Sequence, residues 1–272
     1  MRYRLLLLNL LLLLTFQSEI KAQRLELGIM AGGAGYVGDL NQTNYLKVSG
    51  LSAGGFAKIN LDPYWAVGLH YNYGKIKADD LKSSNAYSKS RGLNFNTSLN
   101  ELSLQADFNF LEYFAGGGTK AFTPYIFTGL GLVFFSPKGV YQFDPANDAE
   151  EYRLRFYQTE GQGGSYKNYA LSIPYGVGAK IKFKESWSLY TQIGYRTANT
   201  DYLDDVSGRY PDPNIWPNDG NTALRQKLSN PSLNPDYGVP GTQRGDFRKR
   251  DTYMFVGIGI SFTFVSQKCY TF

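Results

Sequence analysis

The chain has 272 residues and is rich in glycine and aromatic side chains, with 30 Gly, 22 Tyr, 18 Phe and 3 Trp against one Cys and one His. A single cysteine excludes an internal disulfide, and one cysteine with one histidine excludes a zinc site built from three or four nitrogen and sulfur ligands. The aromatic content argues against a disordered chain. The formal net charge of +5 suggests an anionic partner, but part of that charge lies at the N-terminus.

Residues 1–22 have the pattern of a secretory signal peptide. Arg2 and Arg4 precede an apolar stretch, and Ala22 is a small residue at the expected cleavage point. The alternative is a membrane anchor, but the apolar stretch of about 12 residues is shorter than the roughly 20 that a spanning helix requires. Cleavage removes three of the 28 basic and one of the 23 acidic residues, which leaves a net charge of +3. This balance gives no reason to expect a nucleic-acid partner.

After the signal peptide, eight segments alternate between apolar and polar residues, and no stretch has helical spacing. A period of two is typical of strands whose faces lie in different environments. In the clearest segment, 99–110, Leu102 and Leu104 lie on one face and Glu101 and Asp107 lie on the other. The fifth segment is apolar on both faces, so its orientation stays open. The predicted strands are Leu25–Gly35, Leu51–Leu61, Trp65–Lys75, Leu99–Phe110, Thr123–Phe135, Leu171–Phe183, Trp187–Thr197 and Thr252–Phe264.

The connections between these strands alternate between short and long. Asp62-Pro63-Tyr64 and Lys184-Glu185-Ser186 are short, and 198–251 is the longest. Short periplasmic turns, long extracellular loops and strands of about 9–11 residues are typical of outer-membrane barrels. A soluble lipocalin-like barrel is the alternative, because alternation alone does not say which face lies inside. The signal peptide and the asymmetry of the loops favour an all-β fold for 23–272: an eight-stranded antiparallel transmembrane barrel in the bacterial outer membrane.

Several ionisable side chains on the polar faces are expected to point into the lumen. They are Lys58, His70, Glu101, Asp107, Lys180 and Arg196. One interpretation is a catalytic base with its orienting carboxylate, formed by His70 with Asp107 or Glu101. The other is a set of mutually paired charges that fills a sealed barrel. Because no nucleophile lies at a recognisable spacing, we predict no catalytic residue, no cofactor and no enzymatic activity. Eight strands leave room for little more than side chains, which argues against solute diffusion.

The longest loop contains three carboxylates within five residues: Asp201, Asp204 and Asp205. Carboxylate oxygens suit Ca²⁺, so these residues are a candidate calcium site, although they lack the spacing and the glycine of an EF-hand. The alternative is an acidic rim that pairs with nearby arginines: Arg196, Arg209 or Arg248.

The same loop contains two further candidate binding features. Arg244-Gly245-Asp246 is an RGD tripeptide, which occurs easily by chance and suggests adhesion only weakly. Arg248-Lys249-Arg250 is placed to contact lipopolysaccharide phosphates at the barrel rim. A loop of this length is either functional or disordered, and its six prolines favour partial order over the barrel mouth.

Three parts of the chain resemble signatures of an outer-membrane barrel family of the Bacteroidota that includes the type IX secretion protein PorG. They are Leu25–Gly28 with Gly35–Asn41, Pro124–Gly131, and Tyr195–Gly208, whose TDYLDDVSG stretch is the most specific. The resemblance implies a component of the type IX secretion system that associates with a periplasmic ring of the lipoprotein PorK and of PorN. It implies no catalytic residues.

Two functions from different classes follow from these observations. The first is a non-enzymatic structural subunit of the type IX secretion system. The second is a surface-exposed small barrel whose last loop binds a host or matrix ligand or lipopolysaccharide. In both cases we expect contact with outer-membrane lipid and lipopolysaccharide and no small-molecule substrate.

Overall fold

A computed structural model of the chain describes residues 24–115, 119–144, 146–232, 234 and 236–264. The predicted signal peptide at 1–22 and the single cysteine, Cys269, lie outside the described residues. In the described part of the chain, no helix is long and apolar enough to cross a membrane.

The described chain forms ten strands and two short helices. The strands are β1 (Arg24–Val37), β2 (Val48–Asn60), β3 (Trp65–Asp79), β4 (Asn94–Asn109), β5 (Phe122–Phe134), β6 (Pro137–Tyr141), β7 (Glu150–Arg153), β8 (Tyr169–Lys184), β9 (Trp187–Ala198) and β10 (Thr252–Thr263). The helices are α1 (Ala86–Arg91) and α2 (Thr222–Ser229). Single turns of 3-10 helix lie at Asp80–Lys82 and Leu154–Phe156.

Eight of the strands form a closed antiparallel barrel. Consecutive strands pair from β1 to β5 and from β8 to β10, β5 pairs with β8, and β1 pairs with β10 to close the cylinder. The remaining two strands, β6 and β7, form a hairpin that pairs with the upper end of β4. Closure pairs the backbone groups of every barrel strand on both sides, which strands crossing lipid require. The predicted eight-stranded antiparallel barrel is confirmed.

Each predicted strand coincides with a barrel strand, but the prediction of no helix is wrong. Helix α1 has only six residues, and Asn85 caps it by accepting a hydrogen bond from the N–H of Tyr87 at 2.8 Å. Gly92 ends the helix in the left-handed region, at a φ of 70°. A helix of fewer than two turns is too short for an apolar repeat, so the sequence pattern does not reveal it.

The outward faces of the barrel strands form an apolar band, and the inward faces at the same level are polar. On β4, Leu102 and Leu104 are 46% and 56% exposed, whereas Glu101, Ser103 and Gln105 are buried. A lipocalin-like barrel has the opposite arrangement, with apolar residues inside. The apolar faces therefore meet lipid, and the fold is a transmembrane barrel of the outer-membrane type.

The apolar band ends before the strands do. On the outward face of β3, Tyr71 and Tyr73 are followed by Lys75 and Lys77, and aromatic and basic side chains are typical of a membrane interface. On β4 the outward residues above the band are polar: Asn94, Asn96, Ser98 and Asn100. The barrel therefore continues beyond the hydrocarbon layer at this end.

Long and short connections lie at opposite ends of the barrel. Beyond the protruding end are the long ones, residues 38–47, 80–93, 135–168 and 199–251, which we call the cap. At the other end are residues 61–64, 110–121 and 185–186, which we call the short-turn face. We refer to residues 199–251 as the last loop. By the pattern of outer-membrane barrels, the cap is extracellular and the short-turn face is periplasmic.

The main apolar core lies inside the protruding part of the barrel. Its buried residues are Ala34, Tyr36, Ile76, Ala78, Phe95, Leu99, Val133, Phe135, Ala170, Ala198, Leu203, Tyr253 and Phe255. Leu203 comes from the last loop, and its carbonyl accepts a hydrogen bond from the hydroxyl of Thr97 on β4 at 2.7 Å. The last loop therefore enters the barrel mouth and closes it with apolar packing.

Candidate functional site

Two groups of charged side chains fill the lumen at the level of the membrane. In the group nearer the short-turn face, Oδ2 of Asp107 accepts hydrogen bonds from Nζ of Lys58 and Nζ of Lys180, each at 3.0 Å. Lys58 also lies 3.7 Å from Glu26, and Lys180 donates to Asn109 at 3.2 Å. Two lysines face two carboxylates, so this buried group is neutral overall.

The second group is built around Glu101, at the level where the membrane band meets the apolar core. Its Oε2 lies 3.4 Å from Nε of Arg196 and accepts a hydrogen bond from the hydroxyl of Tyr253 at 2.6 Å. Its Oε1 accepts a hydrogen bond from Asn72 at 3.2 Å. Because a buried charge without a partner is strongly destabilising, this ion pair offsets part of the cost of burying Glu101 and Arg196, and Nη1 of Arg196 also donates to the carbonyl of Gly194 at 2.6 Å.

His70 does not form the catalytic arrangement that the sequence suggests as one interpretation. Its ring lies against Phe56, with 5.1 Å between centroids, and its buried Nε2 has no hydrogen-bond partner. The carboxylates of Asp107 and Glu101 are instead engaged with the lysines, Tyr253 and Asn72. The geometry matches the other interpretation, in which the lumen charges pair with one another.

Three buried aspartates meet where the last loop joins the barrel mouth. They are Asp39, Asp204 and Asp251, which we call the acidic cluster, and one carboxylate oxygen of each lies within 4.8 Å of the others. Asp39 follows β1 and Asp251 precedes β10, and these two strands pair as far as Val37 and Thr252. Asp204 reaches the same point from the last loop. The cluster therefore links two neighbouring barrel strands to the segment that closes the mouth.

Each aspartate of the acidic cluster accepts one hydrogen bond from the backbone. The donors to Asp39, Asp204 and Asp251 are the N–H groups of Asp246, Val206 and Leu203. The hydroxyl of Tyr36 on β1 also donates to Asp204 and lies 3.4 Å from Oδ1 of Asp251. Oδ2 of Asp39 is buried and has no partner.

Among the described residues, no cationic side chain forms an ion pair with the acidic cluster. Three arginines of the cap pair elsewhere: Arg91 with Asp80, Arg244 with Glu160, and Arg248 with Asp246. Burial is the largest cause that raises the pKa of Asp39, to about 8, and repulsion from neighbouring carboxylates adds to it. Burial and mutual repulsion likewise raise the pKa of Asp204 and of Asp251 well above the usual range. At neutral pH the cluster therefore binds either protons or a cation.

The structure divides the three aspartates that the sequence groups as a calcium candidate. Asp204 belongs to the acidic cluster, but Asp205 accepts hydrogen bonds from the hydroxyls of Thr159 at 2.5 Å and Tyr166 at 2.6 Å. Asp201 is also buried, and its Oδ1 has no partner. Burial raises the pKa of Asp201 and of Asp205 to about 6. In the described chain, the three carboxylates that do converge are those of the acidic cluster.

The expected pairing of these aspartates with arginines at the rim is wrong. Arg196 pairs with Glu101 in the lumen. Arg209 donates to the carbonyl of Gly241 at 2.6 Å, and Arg248 pairs with Asp246. The sequence could not show this, because Arg196 and Arg209 are near the aspartates along the chain and yet pair elsewhere, and the partner of Arg248 depends on how the last loop folds.

The arginine of the RGD tripeptide is a structural residue. Arg244 is 2% exposed, lies 2.9 Å from Glu160, and donates to the carbonyls of Asp205 at 2.8 Å and Ser229 at 3.1 Å. A receptor cannot reach a guanidinium buried in this way, so the tripeptide does not support adhesion. Lys249 and Arg250 are exposed, and their contact with lipopolysaccharide stays a prediction.

Sequence reasoning missed two of the three members of the acidic cluster. A signal for Asp39 and Asp251 was present, because Asp39 lies two residues after the first barrel strand and Asp251 directly precedes the last. Closure of the barrel places these strands side by side, and thus the two aspartates together. The position of Asp204 depends on how the last loop folds, and no sequence periodicity reports that.

The cap also contains two cavities. The larger has a volume of about 640 Å³, and its lining includes Lys89, Tyr141, Phe143 and Lys227. The smaller, of about 340 Å³, is lined in part by Tyr210, Trp216 and Lys227. Lys227 of α2 therefore contributes to both, and the larger cavity combines aromatic walls with two amines.

A family model described as a domain of unknown function (DUF6089) matches residues 4–218. The chain belongs to this family. No curated protein matches the sequence.

Solved structures of small outer-membrane barrels resemble this DUF6089 chain. Neisserial surface protein A is 9% identical, with 88% of this chain and 97% of that chain covered and a TM-score of 0.41. A major outer membrane protein from Thermus thermophilus is 13% identical, with 88% and 99% covered and a TM-score of 0.39. Ail of Yersinia pestis is 9% identical, with 89% and 99% covered and a TM-score of 0.38. The strand pairing of the chain itself establishes the fold.

Proposed function

We propose that this chain is a non-enzymatic structural subunit of the type IX secretion system in the bacterial outer membrane, of the PorG kind. The observation that carries the proposal is the sealed barrel: paired charges fill the lumen, and Leu203 of the last loop closes the mouth. Such a barrel has no route for solutes, and a scaffold needs none. The resemblance of 200–208 to the family signature supplies the link to secretion.

The partner in this proposal is a periplasmic ring of the PorK and PorN type, which would bind the short-turn face. Tyr64 and Leu111 are exposed on this face, 42% and 40%, as are the charged side chains of Glu112 and Glu185. Exposed apolar side chains within a charged surround are typical of a protein-binding surface. These residues support a docking role for the periplasmic end of the barrel.

The test is deletion of the gene, followed by complementation and assay of type IX cargo in the medium. We expect deletion to abolish export and the wild-type chain to restore it. A chain with Leu111→Asp and Glu112→Lys should fold but should restore little export and should lose co-purification with the ring proteins. The matched control is Asp148→Lys in the cap, which should restore export fully. Normal export in the deletion strain would refute the secretion role and leave the barrel unaffected.

The second candidate function is a surface-binding barrel, and the larger cap cavity favours it. Lys89 and Lys227 with Tyr141 and Phe143 suit an anionic ligand on the cell exterior. Replacing both lysines with glutamate should then reduce adherence of cells to matrix or to isolated lipopolysaccharide and leave export unchanged. A loss of export with unchanged adherence would reject this candidate.

A further inference from the structure

The described residues compensate the charge of the acidic cluster only in part, because the guanidinium of Arg91 acts on Asp39 and Asp204 without forming an ion pair with either. Asp39, Asp204 and Asp251 are at most 3% exposed, and no lysine, arginine or histidine of the described chain forms an ion pair with them. Ionised carboxylates cannot stay buried without compensation. Hydrogen bonds from three backbone N–H groups and Tyr36 offset only part of this cost. A cation at the centre of the cluster would offset the rest.

A fourth carboxylate provides an independent indication of a ligand at this point. Asp201 is nine-tenths buried, and its Oδ1 has no hydrogen-bond partner. Its charge contributes to the raised pKa of both Asp39 and Asp251, so the side chain lies near the cluster. Oδ2 of Asp39 is buried and equally without a partner. One buried oxygen without a donor lies on a member of the cluster and a second lies near it, and a bound metal ion would satisfy such oxygens.

The number and type of donors favour calcium. The three oxygens lie within 4.8 Å of one another, which is close enough for one ion to contact all three. All donors are carboxylate oxygens, which are hard ligands, and neither a thiolate nor an imidazole lies among them. Magnesium usually keeps several waters and binds through one or two carboxylates, so a group of three carboxylates suits calcium better.

Glycines allow the backbone to approach the cluster closely. A Cβ atom at Gly38 would lie 2.0 Å from the hydroxyl of Tyr36 and 2.4 Å from Oδ1 of Asp251. A Cβ atom at Gly245 would lie 2.9 Å from Oδ1 of Asp39. The main chain therefore encloses the carboxylates on two sides, from the connection after β1 and from the last loop.

We propose that Asp39, Asp204 and Asp251, with Asp201 beside them, bind one Ca²⁺ ion that fastens the last loop to the barrel mouth. The ion would join the end of β1, the start of β10 and the segment that carries Leu203 into the apolar core. Because the cap is on the cell exterior, the relevant affinity is that of extracellular calcium sites, with Kd of about 0.1–1 mM or tighter.

The experiment uses the mature chain refolded in detergent micelles and stripped of metal with EDTA. Titration calorimetry with CaCl₂ should give one site per chain. Calcium should also slow the proteolytic cleavage of the last loop about tenfold or more. Asp204→Asn and Asp251→Asn should each weaken Ca²⁺ binding at least tenfold and remove the protection. Asp236→Asn, an exposed aspartate of the same loop, is the matched control and should bind as the wild type does.

Three results would overturn the proposal: no calcium bound at 10 mM, full affinity in Asp204→Asn, or equal affinity for Mg²⁺. The mobility of unheated samples on SDS gels shows whether each variant is folded. If an asparagine variant fails to fold, the number of Ca²⁺ ions bound per wild-type chain tests the proposal by itself. One calcium per chain that EDTA removes together with the protease resistance of the last loop supports the site, and its absence rejects it.

Discussion

Gly38 lies so close to the acidic cluster that the structure leaves no room for a side chain at this position. An added methyl group would lie 2.0 Å from the Tyr36 hydroxyl and 2.4 Å from Asp251. We expect Gly38→Ala to displace Tyr36 from Asp204 and to destabilise the closed cap by about 1–3 kcal/mol. The rate of trypsin cleavage within the last loop of the folded protein measures this effect. Gly164→Ala is the control, since nothing lies within 4 Å of its added carbon, and equal rates for the two variants would contradict the expectation.

The raised pKa of Asp39 predicts a pH dependence of cap stability in the absence of metal. In the closed cap Asp39 holds its proton up to a pKa of about 8, whereas the ordinary value is 3.8. Between these values the closed state binds more protons than the open state, so stability falls as pH rises from about 4 to about 8. The favourable contribution is fully present below pH 4 and is lost above pH 8.

Hydrogen exchange of the last loop in EDTA, measured at several pH values between 5 and 9 and corrected for intrinsic exchange rates, checks this dependence. Protection should decrease with pH in the wild type and should decrease less in Asp39→Asn. Protection that increases with pH in EDTA would show that the aspartates are ionised in the closed cap, contrary to the prediction.

At the scale of elements, β4 holds the lumen together because it carries a carboxylate of each charge group, Asp107 in one and Glu101 in the other. Asp107 lies between Lys58 and Lys180, so Asp107→Asn would leave two buried ammonium groups with Glu26 alone. Breaking a buried pair in this way costs about 3–5 kcal/mol.

Urea unfolding of the refolded protein in lipid vesicles measures that loss as a lower transition midpoint. Asp148→Asn, an exposed aspartate between β6 and β7, serves as control and should leave the midpoint unchanged. An unchanged midpoint for Asp107→Asn would mean that the lumen lysines do not depend on this carboxylate.

The strands were predictable from sequence because lipid and lumen impose a period of two over ten or more residues. Phe122–Phe134 is the exception: both faces read as apolar, yet Ile126 and Leu130 point outward while Tyr125 and Phe127 point inward. Aromatic side chains fill the lumen there, and they lie against glycines of neighbouring strands. A Cβ atom at Gly178, for example, would lie 2.4 Å from the ring of Tyr125. Because the aromatic residue and the glycine lie on different strands, the sequence pattern of a single strand does not show this packing.

The cap was the least predictable element. Helices α1 and α2 and the β6–β7 hairpin are short, and each is stabilised by contacts with another loop. Leu228 of α2, for instance, packs with Tyr141 of β6 and with Leu154. Local sequence patterns report local environments, so a structure made by contacts between loops leaves no periodic signal. The same reason explains why Asp204 could not be assigned to the acidic cluster, whereas Asp39 and Asp251 could have been.

At the scale of the whole molecule, the barrel has three levels with different physical roles. The short-turn face is exposed and partly apolar, the membrane level has an apolar exterior around paired charges, and the protruding level has an apolar interior closed by the last loop. Apolar packing fills the interior of the protruding level, while charge pairing offsets the cost of burying ionised groups at the membrane level. This division suits a rigid membrane-anchored scaffold that presents different surfaces at its two ends.

The position of the membrane band is tested most directly by the fraction of chain that folds into lipid vesicles. This fraction is read from the faster mobility of unheated samples on SDS gels. Leu130 points outward within the band and is 71% exposed, whereas Ser98 points outward above the band. We predict that the wild type and Ser98→Arg fold alike, and that Leu130→Arg loses about 2–4 kcal/mol and most of its folded fraction. Equal folding of the two arginine variants, or a wild-type chain whose mobility does not change on heating, would contradict the account.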